Sequence, residues 1–198
     1  MNLEPLIKYL PENSIHYIYE WIGDSRLKIQ IKSKRKTKLG DYRFDKKTGI
    51  HQISIDGTME PYPFFFVMTH EIAHLIVRLS YPTNVRSHGE EWKRIFGELL
   101  DQSLEIYPEE IRSQIQRHAQ NPKASIGADK HLHSALFLDD DKIEMLLDNL
   151  EEGQYFRLRK RIFQKGKKRK IRYICRELKT NRSYLISGQA VVDEIINQ

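Results

Sequence analysis

Apolar residues along this chain follow two periods, and the changes from one to the other sketch its elements. Residues 3–10 and 15–22 read as two short helices, separated by Pro11-Glu12-Asn13-Ser14. Leu27, Ile29 and Ile31 alternate with polar neighbours across residues 26–33, the pattern of a strand with one buried face. Two further strands are expected at 39–44 and 50–55, with Asp45-Lys46-Lys47-Thr48-Gly49 as the turn between them. The alternation then stops. Phe64, Phe65, Phe66, Val67 and Met68 run into a short polar group, and Ile72, Leu75, Ile76, Val77 and Leu79 follow, so this helix is apolar nearly all round and should be buried. Pro61 and Pro63 suit its approach and first turn, and Tyr81-Pro82 ends it.

The polar group inside that helix is His70-Glu71-Ile72-Ala73-His74. Residues four apart project from one helical face, so His70 and His74 can close on a single metal ion. Glu71 is turned toward the remaining coordination position, where it can take a proton from bound water. Zinc accepts imidazole nitrogen readily and, with three protein ligands, keeps a place for water, whose pKa falls to roughly 7. Two hydrogen-bonded histidines would satisfy the bare spacing, but imidazole and carboxylate buried among apolar residues need partners, and a metal supplies them.

A third ligand is required. His88 is preferred, because Ser87-His88-Gly89-Glu90 resembles a helix start with Ser87 and Glu90 as a capping box. Trp92, Ile95, Phe96, Leu99 and Leu100 then follow at helical spacing, a face that can pack on the first helix. Glu91 is the competing ligand, since a carboxylate from a following helix also serves such sites. Tyr81, Tyr107 and Arg86 are possible donors to a developing oxyanion, and the sequence does not choose among them. The remaining histidines, His16, His51, His118, His131 and His133, lack a third partner and read as surface or packing residues.

His-Glu-x-x-His, a short connection, then His-Gly-x-x-Trp on a second helix resembles the SprT-like family, which includes the Spartan proteases. Leu39-Gly40-Asp41-Tyr42-Arg43 and Ile53-Ser54-Ile55 look like the family's strands before the active-site helix, so the resemblance covers roughly residues 1–105. It implies a zinc-dependent peptidase acting on DNA-associated or DNA-crosslinked proteins, with one Zn2+ on His70, His74 and His88 and Glu71 as general base. The implied fold is α+β: a zincin-like domain with a small antiparallel sheet and helices carrying the motif.

Composition adds a second theme. The chain has 33 Lys and Arg against 27 Asp and Glu, a formal charge of +6, yet residues 153–198 alone hold 13 against 3. Such asymmetry points to a polyanionic partner for the tail, with DNA, including single strands, as the expected one. A basic loop, Lys32 to Lys38, reads equally as a solvated hairpin tip and as a phosphate contact. No apolar run is long enough to span a bilayer, the N-terminus lacks signal-peptide character, and one cysteine excludes a disulfide framework. The expected location is cytoplasmic, on the nucleoid if the source is bacterial.

The expected domains are a peptidase domain at 1–120, a linker with a short helix at 121–152, and a basic β-rich module at 153–198. A polar helix from Tyr107-Pro108 to about Gln120 closes the first, and Asp140 or Asp141 caps the short helix of the second. In the third, strands are expected at 154–163, 169–178 and 183–187, with a turn at Gln164-Lys165-Gly166-Lys167. Arg157, Arg159, Arg161, Lys167, Lys168, Arg169, Lys170 and Arg172 are the candidate phosphate contacts, and Tyr155, Phe156 and Tyr173 candidate stacking surfaces for single-stranded bases. Here the chain departs from the family, many of whose members look to carry a Cys-x-x-Cys zinc ribbon. Cys175 stands where one such cysteine could fall, but Leu178 replaces its partner. A ribbon without metal is expected, held by Phe156, Leu158, Ile162, Ile171, Tyr173 and Leu185. The alternative function is a nucleic-acid-binding protein whose zinc is structural or vestigial. A weaker one is a hydrolase of small substrates.

Overall fold

The computed structural model describes residues 2–33, 38–81, 85–138 and 145–196, and the chain is α+β, dividing into two compact units, 1–132 and 133–198. Lys34–Thr37 of the basic loop, Pro82, and the Asp139–Asp141 cap all lie outside the described residues. No helix is long and apolar enough to cross a membrane among the described residues.

The first unit opens with a 3-10 turn, Glu4–Tyr9, in place of the first expected helix, then helix α1, Ile15–Ile22. Strands β1 (Leu27–Lys32), β2 (Gly40–Asp45) and β3 (Ile50–Asp56) follow. Their order is β1-β3-β2, with β2 antiparallel and β1 parallel to β3, so the sheet is mixed rather than antiparallel as expected. The most buried strand takes the centre: Ile53 and Ile55 are wholly buried, and β2 folds back on β3 through the Asp45–Gly49 turn, which leaves only the far side of β3 for β1.

Helix α2, Pro61–Ser80, packs on β2 and β3 and is flanked by α1 and α3, Glu90–Gln102. Phe64, Phe65, Met68, Ile72, Ala73 and Leu75 are wholly buried along it, and burying each large side chain contributes roughly 1.5–3 kcal/mol. Its two ends escape, with Tyr62 and Leu79 exposed. Tyr81, preceding Pro82, is extended at φ −120° and ψ 143°, which stops the helix. Helix α4, Glu109–Gln120, packs on α3, where a side chain at Gly97 would strike the Ala119 carbonyl oxygen. Residues 121–152, expected as linker, are divided: Ser125–Asp129 fold onto α4 and Leu132 is buried in the first unit, whereas Leu147 and Leu150 enter the core of the second. Helix α5, Lys130–Phe137, spans the division.

The second unit is a five-stranded antiparallel sheet, β4 (Tyr155–Leu158), β5 (Arg161–Arg169), β6 (Arg172–Glu177), β7 (Ser183–Ser187) and β8 (Glu194–Ile196), in the order β7-β6-β5-β4-β8. The expected strand at 154–163 is two strands joined by Arg159 and Lys160, both at positive φ (51° and 66°), a two-residue hairpin turn lacking its usual Asn-Gly signal. The expected turn at 164–167 is instead a bulge in β5, and β8 was not anticipated. The core is Leu147, Leu150, Phe156, Phe163, Tyr173, Cys175 and Val192. Ile171 and Leu185, expected inside, are 55% and 47% exposed, because Ile171 stands in the β5–β6 turn and Leu185 pairs with the outward-facing Ile174. Buried Lys165 donates to the Leu150 carbonyl at 2.5 Å and lies 3.9 Å from the Tyr173 ring centroid.

Candidate functional site

Three elements converge on one cavity of about 470 Å³: β2 with the residues before it, α2, and the turn ahead of α3. His70, Glu71 and His74 enter from α2, as the i, i+4 spacing requires, and His88 from the turn. Leu39, Gly40, Asp41 and Tyr42 form one wall, and Ala124, Ser125 and Ile126 another.

His88 does not lie in the first turn of α3. The Gly89 N–H closes a turn on the Arg86 carbonyl at 2.9 Å, Gly89 becomes the N-cap, and Ser87 makes no capping bond. Glu90 pairs with Lys93 at 2.7 Å in place of reaching back. The helix therefore starts two residues later than expected, and His88 stands in front of it. Glu91, the competing ligand, is outside the cluster.

One nitrogen of each of His70, His74 and His88 lies within 4.8 Å of the others, and the Nε2 atoms of His70 and His88 are 3.4 Å apart. Ligands of one tetrahedral ion at 2.0–2.1 Å stand about 3.4 Å apart, so the donor set suits a small metal ion. Trp92 backs all three, its ring centroid 4.7, 5.4 and 4.6 Å from those of His70, His74 and His88. Burial, followed by the neighbouring imidazoles, holds His70 well below the ordinary histidine value. Burial also brings His74 down to about 4 and lowers His88. The neutral imidazole is the form that ligates metal.

Glu71 is 5% exposed and is pressed against β2 at Gly40, where a Cβ would lie 2.9 Å from Glu71 Cγ and 2.7 Å from Val67 Cγ1. Tyr42 stacks on His74 (6.1 Å, 15°) and its hydroxyl meets His51 Nδ1 at 2.8 Å. Burial raises the Tyr42 hydroxyl to about 12. Tyr42 is the cavity's tyrosine, which the sequence reading missed. Of the candidate oxyanion donors, Tyr107 is wholly buried against Phe65, the Tyr81 hydroxyl accepts from Arg94 at 2.8 Å, and neither they nor Arg86 lines the cavity. His51 and His118 are packing residues; His118 Nδ1 meets Asp129 at 3.0 Å.

In the second unit the eight candidate phosphate contacts separate into two groups. Arg157 pairs with Glu194 (2.8 Å), Arg161 with Glu177 (2.5 Å) and Lys168 with Asp148 (3.1 Å). Arg159, Lys167, Arg169, Lys170 and Arg172 are exposed and have no ion pair among the described residues; the last four surround the β5–β6 hairpin tip. Two of the stacking candidates are unavailable, Phe156 being wholly buried and Tyr173 9% exposed in the core, whereas Tyr155 is half-buried. Alternation along β4 and β6 turns Phe156 and Tyr173 inward, and leaves Tyr155 on the face of Arg157.

Compared with protein-family models, curated proteins and solved structures, the chain gives no match in any of the three.

Proposed function

We propose that the chain is a zinc-dependent endopeptidase of the SprT-like kind, with a zincin-like first unit, acting on DNA-associated or DNA-crosslinked proteins. The observation that carries this reading is the half-buried His70–His74–His88 donor set with the buried Glu71 carboxylate in the same cavity. Zinc held by the three imidazoles would supply a Lewis acid that polarises a carbonyl and acidifies water.

Glu71 would take the proton of the attacking water and deliver it to the leaving amine nitrogen. Burial raises the effectiveness of that carboxylate by excluding bulk solvent from the transfer. The outer edge of β2 pairs with no described strand and its residues line the cavity, so it is suited to holding an extended substrate by main-chain bonds. Trp92 and Tyr42 fix the imidazole planes. The exposed cations of the β5–β6 hairpin would supply phosphate contacts that recruit the enzyme to DNA.

The test is cleavage of a DNA-bound basic protein by the zinc-loaded chain, with and without single-stranded DNA, beside Glu71→Gln. Expected are DNA-stimulated cleavage in the natural chain, and zinc retention without turnover in the variant. Equal turnover in Glu71→Gln would remove Glu71 from its role. Absent cleavage alongside retained DNA binding would favour the binding protein with a structural or vestigial zinc.

A further inference from the structure

Strand β7 forms one edge of the second unit's sheet, and its sequence, Ser183-Tyr184-Leu185-Ile186-Ser187, carries no charge. Natural sheet edges are ordinarily blunted by lysine, proline or a bulge, because unpaired main-chain groups template another strand. The register shows which groups those are. The Glu177 N–H bonds the Arg182 carbonyl (2.9 Å) and the Gly188 N–H bonds the Ile171 carbonyl (3.1 Å) at the two ends of the β6–β7 ladder. Alternation between these ends makes Arg182, Tyr184, Ile186 and Gly188 the residues bonded to β6. Ser183, Leu185 and Ser187 therefore direct their N–H groups to the free edge, and β7 pairs with no other described strand.

The side chains of the same three residues lie on the sheet's outer face, where Leu185 is 47% exposed. Leu185 stands opposite Ile174, itself 40% exposed, and this pair is flanked by two arginines: Arg172 opposite Ser187 and Arg176 opposite Ser183. Arg176 donates to the neutral Gln164 amide oxygen at 3.3 Å, and neither it nor Arg172 has an ion pair among the described residues. A strand added beside β7 would set one residue against Leu185 and the residues two before and two after it against the short Ser183 and Ser187. Those serines leave room for a side chain to pass over β7 toward the arginines.

We propose that the β7 edge binds an extended protein segment of the pattern acidic–x–aliphatic–x–acidic, as an added strand. The aliphatic side chain packs on Leu185 and Ile174, and the two carboxylates pair with Arg172 and Arg176. Single-stranded nucleic acid suits this face less well, because it has aliphatic side chains at its centre where stacking would need exposed rings.

The experiment uses the full chain and a fluorescein-labelled nonapeptide centred on Glu-Thr-Val-Thr-Glu, with fluorescence anisotropy at near-physiological salt. Controls are the peptide with glutamines for its glutamates, the peptide with proline for its valine, and a twelve-residue oligothymidine. Saturable binding of the first peptide is expected, weakened at least about tenfold by Leu185→Ser and by the pair Arg172→Gln and Arg176→Gln, a change of roughly 1.4 kcal/mol each. Hydrogen exchange over Ser183–Ser187 should slow when the peptide is present. Both variants alter exposed side chains, and far-ultraviolet circular dichroism checks their fold. Absent peptide binding, binding indifferent to Leu185→Ser, or oligothymidine displacing the peptide with no dependence on Leu185 would each overturn the proposal.

Discussion

Replacing Gly40 by alanine tests the proposed mechanism at one methyl group. Gly40 has no positive φ, so its backbone accepts alanine without strain, and the effect is steric. The added Cβ would collide first with Glu71 Oε1, and would meet Val67 Cγ1 at 2.7 Å and Glu71 Cγ at 2.9 Å, where ordinary contacts begin near 3.4 Å. Relief of the carbon contacts requires about 0.5–0.7 Å of movement, the carboxylate oxygen must move further, and overpacking of this kind costs typically about 1–3 kcal/mol. Val67 is held in a crowded helix, so the Glu71 side chain is the freer partner and takes much of the shift. A base misplaced by about 1 Å loses on the order of 100-fold in turnover. The three histidines are not touched, so zinc affinity should stay within about twofold, whereas the outer-shell changes that do disturb ligands cost 10–100-fold. Three measurements on one variant suffice: thermal unfolding, competition for zinc against a chromophoric chelator, and kcat with KM. Natural turnover in Gly40→Ala would refute the claim that β2 seats the general base. Lost zinc would show that the strand supports the ligands instead.

Gly97→Ala should destabilise the first unit by about 1–3 kcal/mol by pushing on the Ala119 carbonyl, although alanine in a free helix gains about 1 kcal/mol over glycine; thermal unfolding gives the sign. Glu177, bonded by Arg161 and Thr180, is held at about 2 against an ordinary 4.5. A depressed folded pKa contributes stability above the unfolded value, so the second unit should weaken as pH falls from 4.5 toward 2, and Glu177→Gln should flatten that slope in denaturant titrations at several pH values. Removing bound metal by chelation should lower the melting temperature and change Trp92 emission, and cobalt added back should quench it. A Trp21→Phe background isolates Trp92, and unchanged emission would place the metal elsewhere.

The motif helix was legible because its signals are local. Burial all round, an i, i+4 pair of histidines and the prolines at both ends all lie within about twenty residues of sequence. The third histidine of the cluster was legible as a residue but not in its position, since the Arg86–Gly89 turn that delays α3 has no strong sequence signature. Tyr42 was missed as a cavity residue because its place depends on β2 lying beside β3 and against α2, which pairing rather than composition decides. In the tail, alternation correctly marked Phe156 and Tyr173 as inward-facing. It misplaced Leu185, which pairs with Ile174 on the outer face, and Ile171, which stands in a turn opened by Lys170 at φ 58° without a telltale dipeptide. A shift of one residue exchanges the two faces of a strand.

Because His88 precedes α3 rather than belonging to it, the donor set joins points 18 residues apart on separate elements. An ion held there is a cross-link, closing a loop from the middle of α2 to the threshold of α3. By analogy with a disulfide over a loop of about 15 residues, the entropy withheld from the unfolded chain is worth about 3 kcal/mol. An ion bound there would thus act as the staple that docks α3 on α2. Demetallation should then loosen the chain around Arg86–Gly89 first, leaving the α2 helix intact beneath it.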